Sequence, residues 1–460
     1  MTDERSRLWK RLAALDAAVE RSLCEGRAAE RCKESVVREA IEGVELVRGA
    51  RSLDEAVDAL SSWLSRWGLR TGHERFFGYP NASSLFVSVV GDALAARFDA
   101  QCALWDAAPA AVELERACLS AIAERAGWSM ASSTFTTGAS ESITTALIAA
   151  GVRAEPRTVS DGVFAFGAQP KVYGSREAHR SLVKSSRIAG WGDRAVVEVE
   201  SEAPSYAMSV AALSRAIERD RRDGARPIAV VATIGSTVTG AIDPIESIAE
   251  LCEREGLSLI CDGAFGAAAA LSTEARAWVR GVGRADAIVW DAHKFPGVSL
   301  GTGMLWLREA AWARAAFDVE ATYVPSRREH PYATTMQWSR RATGLKVWLS
   351  LAVEGLDGWA RRFESRAALG ERLRSAVIER GWTVRNATPL PVVCMQQRDW
   401  AVGDRRYAKL ARALLHEHGA WVDVATTSDG ATVLRAAIAS ERTSERAVDA
   451  LAAALGSAET

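Results

Sequence analysis

Charge of one sign is what this chain has least to spare. Its 57 Lys and Arg stand against 58 Asp and Glu, a formal net charge of -1 over 460 residues. So even a balance gives no global electrostatic case for nucleic acid or an anionic membrane. Cysteine is sparse too: seven residues, at 24, 32, 102, 118, 252, 261 and 394, odd in number and scattered. None forms a CxxC or a Cys/His pair with zinc spacing, so no metal centre is implied, and reduced thiols in a cytoplasm fit best. The apolar stretches are broken by charge or glycine well short of the roughly 20 residues that span a bilayer. Met1-Thr-Asp-Glu-Arg5 is charged and leads into an amphipathic pattern, which does not read as a signal peptide. Neither GxxxxGK[ST] nor GxGxxG occurs, so a nucleotide is not implied. There is no internal repeat and no low-complexity linker.

What is present is ordinary for a globular protein, with 48% hydrophobic and 25% charged residues. The length calls for two or three domains. Residues 1–80 read as a helical arm. Leu8, Leu12, Leu15, Val19 and Leu23 recur at helical spacing, Val44, Leu46 and Val47 begin another stripe, and Ala56, Leu60 and Leu64 continue it. So long an apolar stripe needs a surface to cover it, and a partner subunit is the natural one. An aromatic loop follows from His73 to Ser84. Residues 81–345 read as a large domain of alternating strands and helices. Apolar strands at Lys171–Tyr173, Pro227–Thr233, Leu257–Cys261, Ala287–Trp290 and Gly303–Leu307, with a helix opening at Glu177, predict a mainly parallel sheet covered on both faces. Residues 346–460 read as a small α+β domain. It has a long helix from Ser339 to about 375, strands near 383–385, 391–395 and 432–438, and a final helix after the capping box Thr443-Ser-Glu-Arg446.

The strand ends carry the chemistry. In a parallel α/β sheet the carboxyl ends of the strands meet on one edge, where ligands bind. His179, the Thr233–Thr237 segment, Asp262 and Lys294 all follow strand ends. Thr136-Thr-Gly-Ala-Ser140 is a hydroxyl-rich loop at a helix start, where free N–H groups and the helix dipole suit a phosphate. A lysine at a buried strand end can become a nucleophile toward carbonyls. A lysine for a Schiff base, an anion for a pyridinium nitrogen and a phosphate cradle are the parts that pyridoxal 5'-phosphate requires.

In these segments the chain resembles the group II pyridoxal-phosphate-dependent amino-acid decarboxylases, the relatives of aromatic-L-amino-acid decarboxylase. The resemblance runs from about His73 to Leu455. Asp291-Ala-His-Lys294 is similar to the family's Asp/Asn-Pro-His-Lys signature, and implies that Lys294 holds the cofactor's aldehyde. Asp262-Gly-Ala-Phe-Gly266 resembles Asp-Ala-Ala-Tyr-Gly, which implies that Asp262 meets the ring nitrogen and Ala264 packs on the ring. Glu177-Ala-His179 resembles Gln-Ala-His, whose histidine stacks on the ring. Thr137-Gly-Ala-Ser-Glu141 resembles the phosphate loop, pointing to Ala139 and Ser140. Ala232-Thr-Ile-Gly-Ser-Thr237 implies that Ser236 and Thr237 lie close to the cofactor, while Asp291 and His293 assist at the phosphate. Tyr323, 29 residues after Lys294 on an expected mobile loop, implies the acid that protonates the carbanion, with Tyr332 in reserve.

The fold so implied is the aspartate-aminotransferase type, pyridoxal-phosphate fold type I. It has a seven-stranded, mainly parallel sheet, a small C-terminal domain and a helical arm, in a homodimer with shared active sites. The activity implied is decarboxylation of an L-amino acid, aromatic or related, in the cytoplasm. The pattern is not complete. Ala292 stands where the family has proline and Phe295 where it has tryptophan. The stretch from Tyr323 to Arg340 looks short, and so, by about one residue, does His73–Asn81. Gln101 and Ala103 stand where the aromatic enzymes carry a bulky apolar pair. Two other readings stay open: an aminotransferase or other pyridoxal-phosphate lyase, with Arg435 receiving an α-carboxylate, and a non-catalytic binding protein on the same fold.

Overall fold

The computed structural model describes residues 2–30, 32–42, 52–81, 84–322, 324 and 329–457. Val44, Leu46, Val47 and Tyr323 lie outside the described residues. The strands are β1 (Phe76–Phe77), β2 (Ser132–Thr136), β3 (Pro170–Ser175), β4 (Val196–Val199), β5 (Ser201–Glu202), β6 (Ala207–Met208), β7 (Arg226–Thr233), β8 (Ser258–Asp262), β9 (Ala287–Asp291), β10 (Gly303–Leu307), β11 (Thr383–Val384), β12 (Val392–Gln396), β13 (Trp421–Thr426) and β14 (Thr432–Ala437). The helices are α1 (Thr2–Ser22), α2 (Glu34–Glu42), α3 (Leu53–Trp67), α4 (Phe86–Phe98), α5 (Pro109–Ala126), α6 (Ala139–Ala154), α7 (Thr158–Asp161), α8 (Ser181–Ile188), α9 (Val210–Arg222), α10 (Ile245–Glu255), α11 (Ala310–Phe317), α12 (Gly344–Glu379), α13 (Arg405–His418) and α14 (Glu445–Ser457).

Seven strands form the main sheet, in the order β2-β10-β9-β8-β7-β3-β4. Only β10 runs against its neighbours, pairing antiparallel with β2 and β9, while β9, β8, β7, β3 and β4 pair parallel. Every residue of β8, β9 and β10 is buried, as expected of strands with helices on both faces. Trp290, Trp306 and Trp359 fill the centre of the main core, with Trp290 6.4 Å from Trp306 and 6.1 Å from Trp359.

A second sheet has the order β1-β13-β14-β12-β11 and packs with α13 and α14 into a small lobe with its own core. Its edge strand β1 comes from residues 76–77, within the expected arm, and pairs parallel with β13. Helix α12 links the two lobes. Its run is interrupted at Gly355, whose φ of 68° and ψ of 169° are non-helical.

The structure departs from the sequence reading in places. The helix expected at Glu177 begins at Ser181. Ser132–Thr136 is a strand, although its hydroxyl-rich composition did not announce one. Strands β4 and β13 had no visible signal. In the arm, α3 buries none of its residues. Among the described residues no helix is long and apolar enough to cross a membrane.

Candidate active site

Strand β9 ends at Asp291, and the turn after it presents Lys294. Two N–H groups, of Lys294 and Phe295, donate to the Asp291 carbonyl, at 2.9 and 3.1 Å. Those of Gly297 and Val298 donate to the Ala292 carbonyl, both at 3.1 Å. Ala292 is fully buried beneath this turn, and the Phe295 ring packs edge-on against Phe363 of α12 at 5.3 Å. The turn is therefore held by its backbone and by Phe295, and Lys294 is left free to face the cleft. Its Nζ lies 3.4 Å from Asp291 Oδ2, and its side chain is 23% exposed.

Strand β8 ends at Asp262. Its buried carboxylate accepts the Ala264 N–H at 3.2 Å. Burial raises the Asp262 pKa, and the Lys294 charge is the strongest influence pulling it back. His179 sits in the turn after β3. Its Nδ1 accepts the Ser181 N–H at 3.2 Å and lies 2.9 Å from Ser181 Oγ, which leaves the proton of the neutral ring on Nε2. Part of the ring is exposed, yet desolvation, followed by the Lys294 charge, lowers its pKa, so the neutral ring dominates at pH 7.

Helix α6 opens at Ala139 after Gly138, with no side-chain cap. No preceding turn can accept from the N–H groups of Ala139 and Ser140, so they stay available to an anion. A Cβ on Gly138 would lie 3.5 Å from His293 Cε1 and 3.8 Å from Asp291 Oδ1, so the helix start abuts the Asp291–His293 turn. His293 Nε2 lies 3.6 Å from Asp291 Oδ2. Burial lowers the His293 pKa, partly offset by Asp291.

Ala139, His179, Ser236, Thr237, Asp262, Ala264 and Lys294 line one cleft. Ser140, Asp291 and His293 adjoin it without lining it. Pro80, Ser181, Thr233, Gly235 and Phe265 also line it; Thr233 and Gly235 belong to the strand-end segment 233–237 without a role of their own, and the others were not singled out from the sequence. Pro80 had a signal, the aromatic loop in which it lies, whereas Phe265 and Thr233 were inside quoted motifs without a role. Tyr323 lies outside the described residues. Tyr332 is buried, stacked 4.4 Å from Trp338, with its N–H on the Ala103 carbonyl at 3.1 Å, and it does not line the cleft. Gln101 is turned to its own loop, where Oε1 accepts the Ala103 N–H at 2.5 Å. Arg435 is buried in β14 and paired with Asp423 at 2.9 Å, with Nε and Nη2 unpartnered.

The donor set suits pyridoxal phosphate. It combines an amine, a carboxylate under the influence of that amine, an imidazole, and an open helix start. Thr233 Oγ1 in the cleft and Asp291 Oδ1 beside Lys294 are both buried without a partner, polar capacity that the chain does not satisfy for itself.

This sheet, small lobe and cleft define an aspartate-aminotransferase-type, pyridoxal-phosphate-dependent enzyme of fold type I. Residues 56–397 match the pyridoxal-dependent decarboxylase conserved domain, and the chain belongs to that family, whose members are carboxy-lyases of amino acids. It is similar to the aromatic-L-amino-acid decarboxylase of Bacillus atrophaeus, 26% identical over 329 residues, which cover 70% of this chain and 67% of that one. The cysteine sulfinic acid decarboxylase of Homo sapiens is 30% identical over 321 residues, covering 67% of this chain and 64% of its own. Among solved structures, Oryza sativa TDC with PLP and tryptamine superposes with a TM-score of 0.89 at 22% identity, over 99% of this chain and 98% of that one. Mouse CSAD superposes at 0.88 and 22%, over 97% and 98%.

Proposed function

We propose that this chain decarboxylates an L-amino acid with an uncharged, aromatic or related side chain, releasing carbon dioxide and an amine. Pyridoxal phosphate supplies the electron sink for the bond that breaks. Lys294 holds the cofactor's aldehyde. Asp262, buried at the end of β8, meets the ring nitrogen and sustains its proton. His179 covers the ring, and its Nε2 proton faces the substrate carboxylate. The α6 start at Ala139 and Ser140, with Ser236, Thr237, Asp291 and His293 nearby, receives the phosphate end. Ala264 supports the ring from below. Tyr323 donates the proton that replaces carbon dioxide. The arm at 1–80, the large domain at 81–345 and the small one at 346–460 work as a homodimer in the cytoplasm, with sites shared between subunits.

The observation that carries this reading is the convergence of Lys294, Asp262, His179 and Thr237 on one cleft. The preference for an uncharged side chain rests on charge. Among the described lining residues Lys294 is the one cation, and the cofactor consumes it, so no other described lining residue can pair a second substrate carboxylate.

The test is carbon dioxide release with the amine identified by mass spectrometry. Substrates would be L-phenylalanine, L-tyrosine, L-tryptophan, L-aspartate, L-glutamate and cysteine sulfinate. Turnover is expected with the aromatic set and abolished by Lys294→Ala, which also loses the cofactor's visible absorbance. Turnover confined to the acidic set would overturn the charge argument. Ketoacid without carbon dioxide would make the protein an aminotransferase, and failure to bind the cofactor would make it a binding protein.

A further inference from the structure

Glu177 is 8% exposed, and nothing in the chemistry above uses it. It stands in the turn that carries His179. Its Oε2 accepts from Thr239 Oγ1 at 2.8 Å and from Ser236 Oγ at 3.4 Å. Its Oε1 accepts the N–H of Ser428 at 3.2 Å, in the turn between β13 and β14 of the small lobe. The two hydroxyls lie 2.8 Å apart, and Ser236 Oγ also accepts the Ala241 N–H at 3.1 Å. One buried carboxylate thus meets donors from the loop that presents Thr237 and from the small lobe.

That loop is gripped from the small lobe at three successive carbonyls. Cys394 Sγ donates to Val238 O at 3.2 Å, Asn386 Nδ2 to Thr239 O at 2.7 Å, and Thr388 Oγ1 to Gly240 O at 2.6 Å. These bonds fix the Thr237 side of the cleft. Glu177 adds the His179 side to the same assembly.

We propose that Glu177 is a positioning residue, a latch that locks the His179 turn and the Thr237 loop to the small lobe, so that the cleft takes its working shape only when that lobe is seated. The inference rests on the reading of His179 and Thr237 given under the proposed function. A buried carboxylate is tolerable only when its oxygens are satisfied. Here three donors satisfy it, and removing it strands the Ser428 N–H and one of the two hydroxyls, since the other can donate to its neighbour. A glutamine can stand in: its carbonyl accepts from Ser428, and its amide donates to hydroxyls that rotate to accept.

Hydrogen–deuterium exchange on the full chain tests this. Glu177→Ala is expected to speed exchange roughly tenfold in residues 176–182, 235–240 and 427–431 together, leaving β12 unchanged. Glu177→Gln is expected to stay within about twofold of the native chain. In turnover, E177A should lower kcat about tenfold with KM little changed, and E177Q should restore it. Faster exchange confined to 176–182, faster exchange throughout the protein, or E177Q as impaired as E177A would each overturn the latch. If E177A does not fold, Thr239→Val removes one donor and should loosen the same three segments; no change there would also overturn it. A native chain that releases no carbon dioxide would sink the decarboxylase reading, while the exchange data would still decide the latch.

Discussion

Asp243 is cut off from water, and its two shortest contacts are backbone N–H groups, Thr233 and Met208, each at 2.7 Å. Burial drives its pKa up to about 7, the two N–H bonds oppose this, and Glu177 and Asp262 add to the rise. In the unfolded chain the same carboxyl titrates near 3.9. The folded state therefore holds more protons between those values, and stability falls as pH rises through that window, levelling off above it. Asn at this position has no such titration. The denaturation free energy of the native chain minus that of Asp243→Asn should drop by about 2 kcal/mol from pH 5 to pH 7 and change little from pH 7.5 to 8.5. A difference that stays flat from pH 5 to 7 would show that Asp243 is ionised throughout. The site is anchored here as well, because Asp243 ties the end of β7, where Thr233 borders the cleft, to β6.

The first residue of β10 packs tightly against the 136–138 segment, which leads from β2 into the start of α6. A Cβ on Gly303 would lie 2.6 Å from Gly138 Cα and 2.8 Å from Gly138 C. Real Cβ atoms do not approach so near, so Gly303→Ala must push the 136–138 segment away from β10, at a cost of about 1–3 kcal/mol. Titrating the apoprotein with pyridoxal phosphate should show roughly tenfold weaker binding in this variant. Unchanged affinity would mean that the helix start does not receive the phosphate. The same pair of strands shows what the sequence could and could not reveal. β10, Gly303-Met-Leu-Trp-Leu307, is a continuous apolar run and was legible as a buried strand, as were β7, β8 and β9. β2, Ser-Ser-Thr-Phe-Thr, has one large apolar residue, and its pairing with β10 makes it a strand. β13 alternates buried and open residues and takes its place from β14 and from the remote pair Phe76–Phe77, a register that no local pattern encodes. The helix expected at Glu177 starts later because Glu177 and His179 spend their side chains on the 236–239 loop and on Ser181, holding the intervening turn out of helical geometry. Motif order was enough to gather Asp262, Lys294 and His179, whereas Pro80 and Phe265 reach the cleft only through the tertiary fold.

At the scale of the whole molecule, the amino-terminal helices carry large apolar side chains that are exposed among the described residues. Trp9 is 59% exposed, Leu60 55% and Leu64 66%, and on α4, beyond the arm, Phe98 is 76% exposed. Helix α3 has a complete capping box at Ser52 and Glu55, and Asp54 pairs with Arg7 at 2.7 Å, so the helix is well formed although none of its residues is buried. A built helix with an uncovered apolar stripe fits a subunit interface, where burying each large side chain contributes about 1.5–3 kcal/mol. Two-fold pairing would let each arm cover its counterpart. The double substitution Leu60→Asp, Leu64→Asp should convert a dimer to monomer in size-exclusion chromatography with light scattering. If the active sites are shared, that monomer also loses turnover while keeping its helical content by circular dichroism. Refolding a mixture of Lys294→Ala and Tyr323→Phe chains separates sharing from mere association. If Lys294 of one subunit works with Tyr323 of the other, hybrids carry one intact site, and a one-to-one mixture regains about a quarter of native turnover. If each subunit is self-contained, every site in the mixture lacks one of the two groups, and turnover stays at the level of the parent variants. Native activity in a monomeric arm variant would remove the dimer from the mechanism altogether and leave the exposed stripe as a docking face for some other protein.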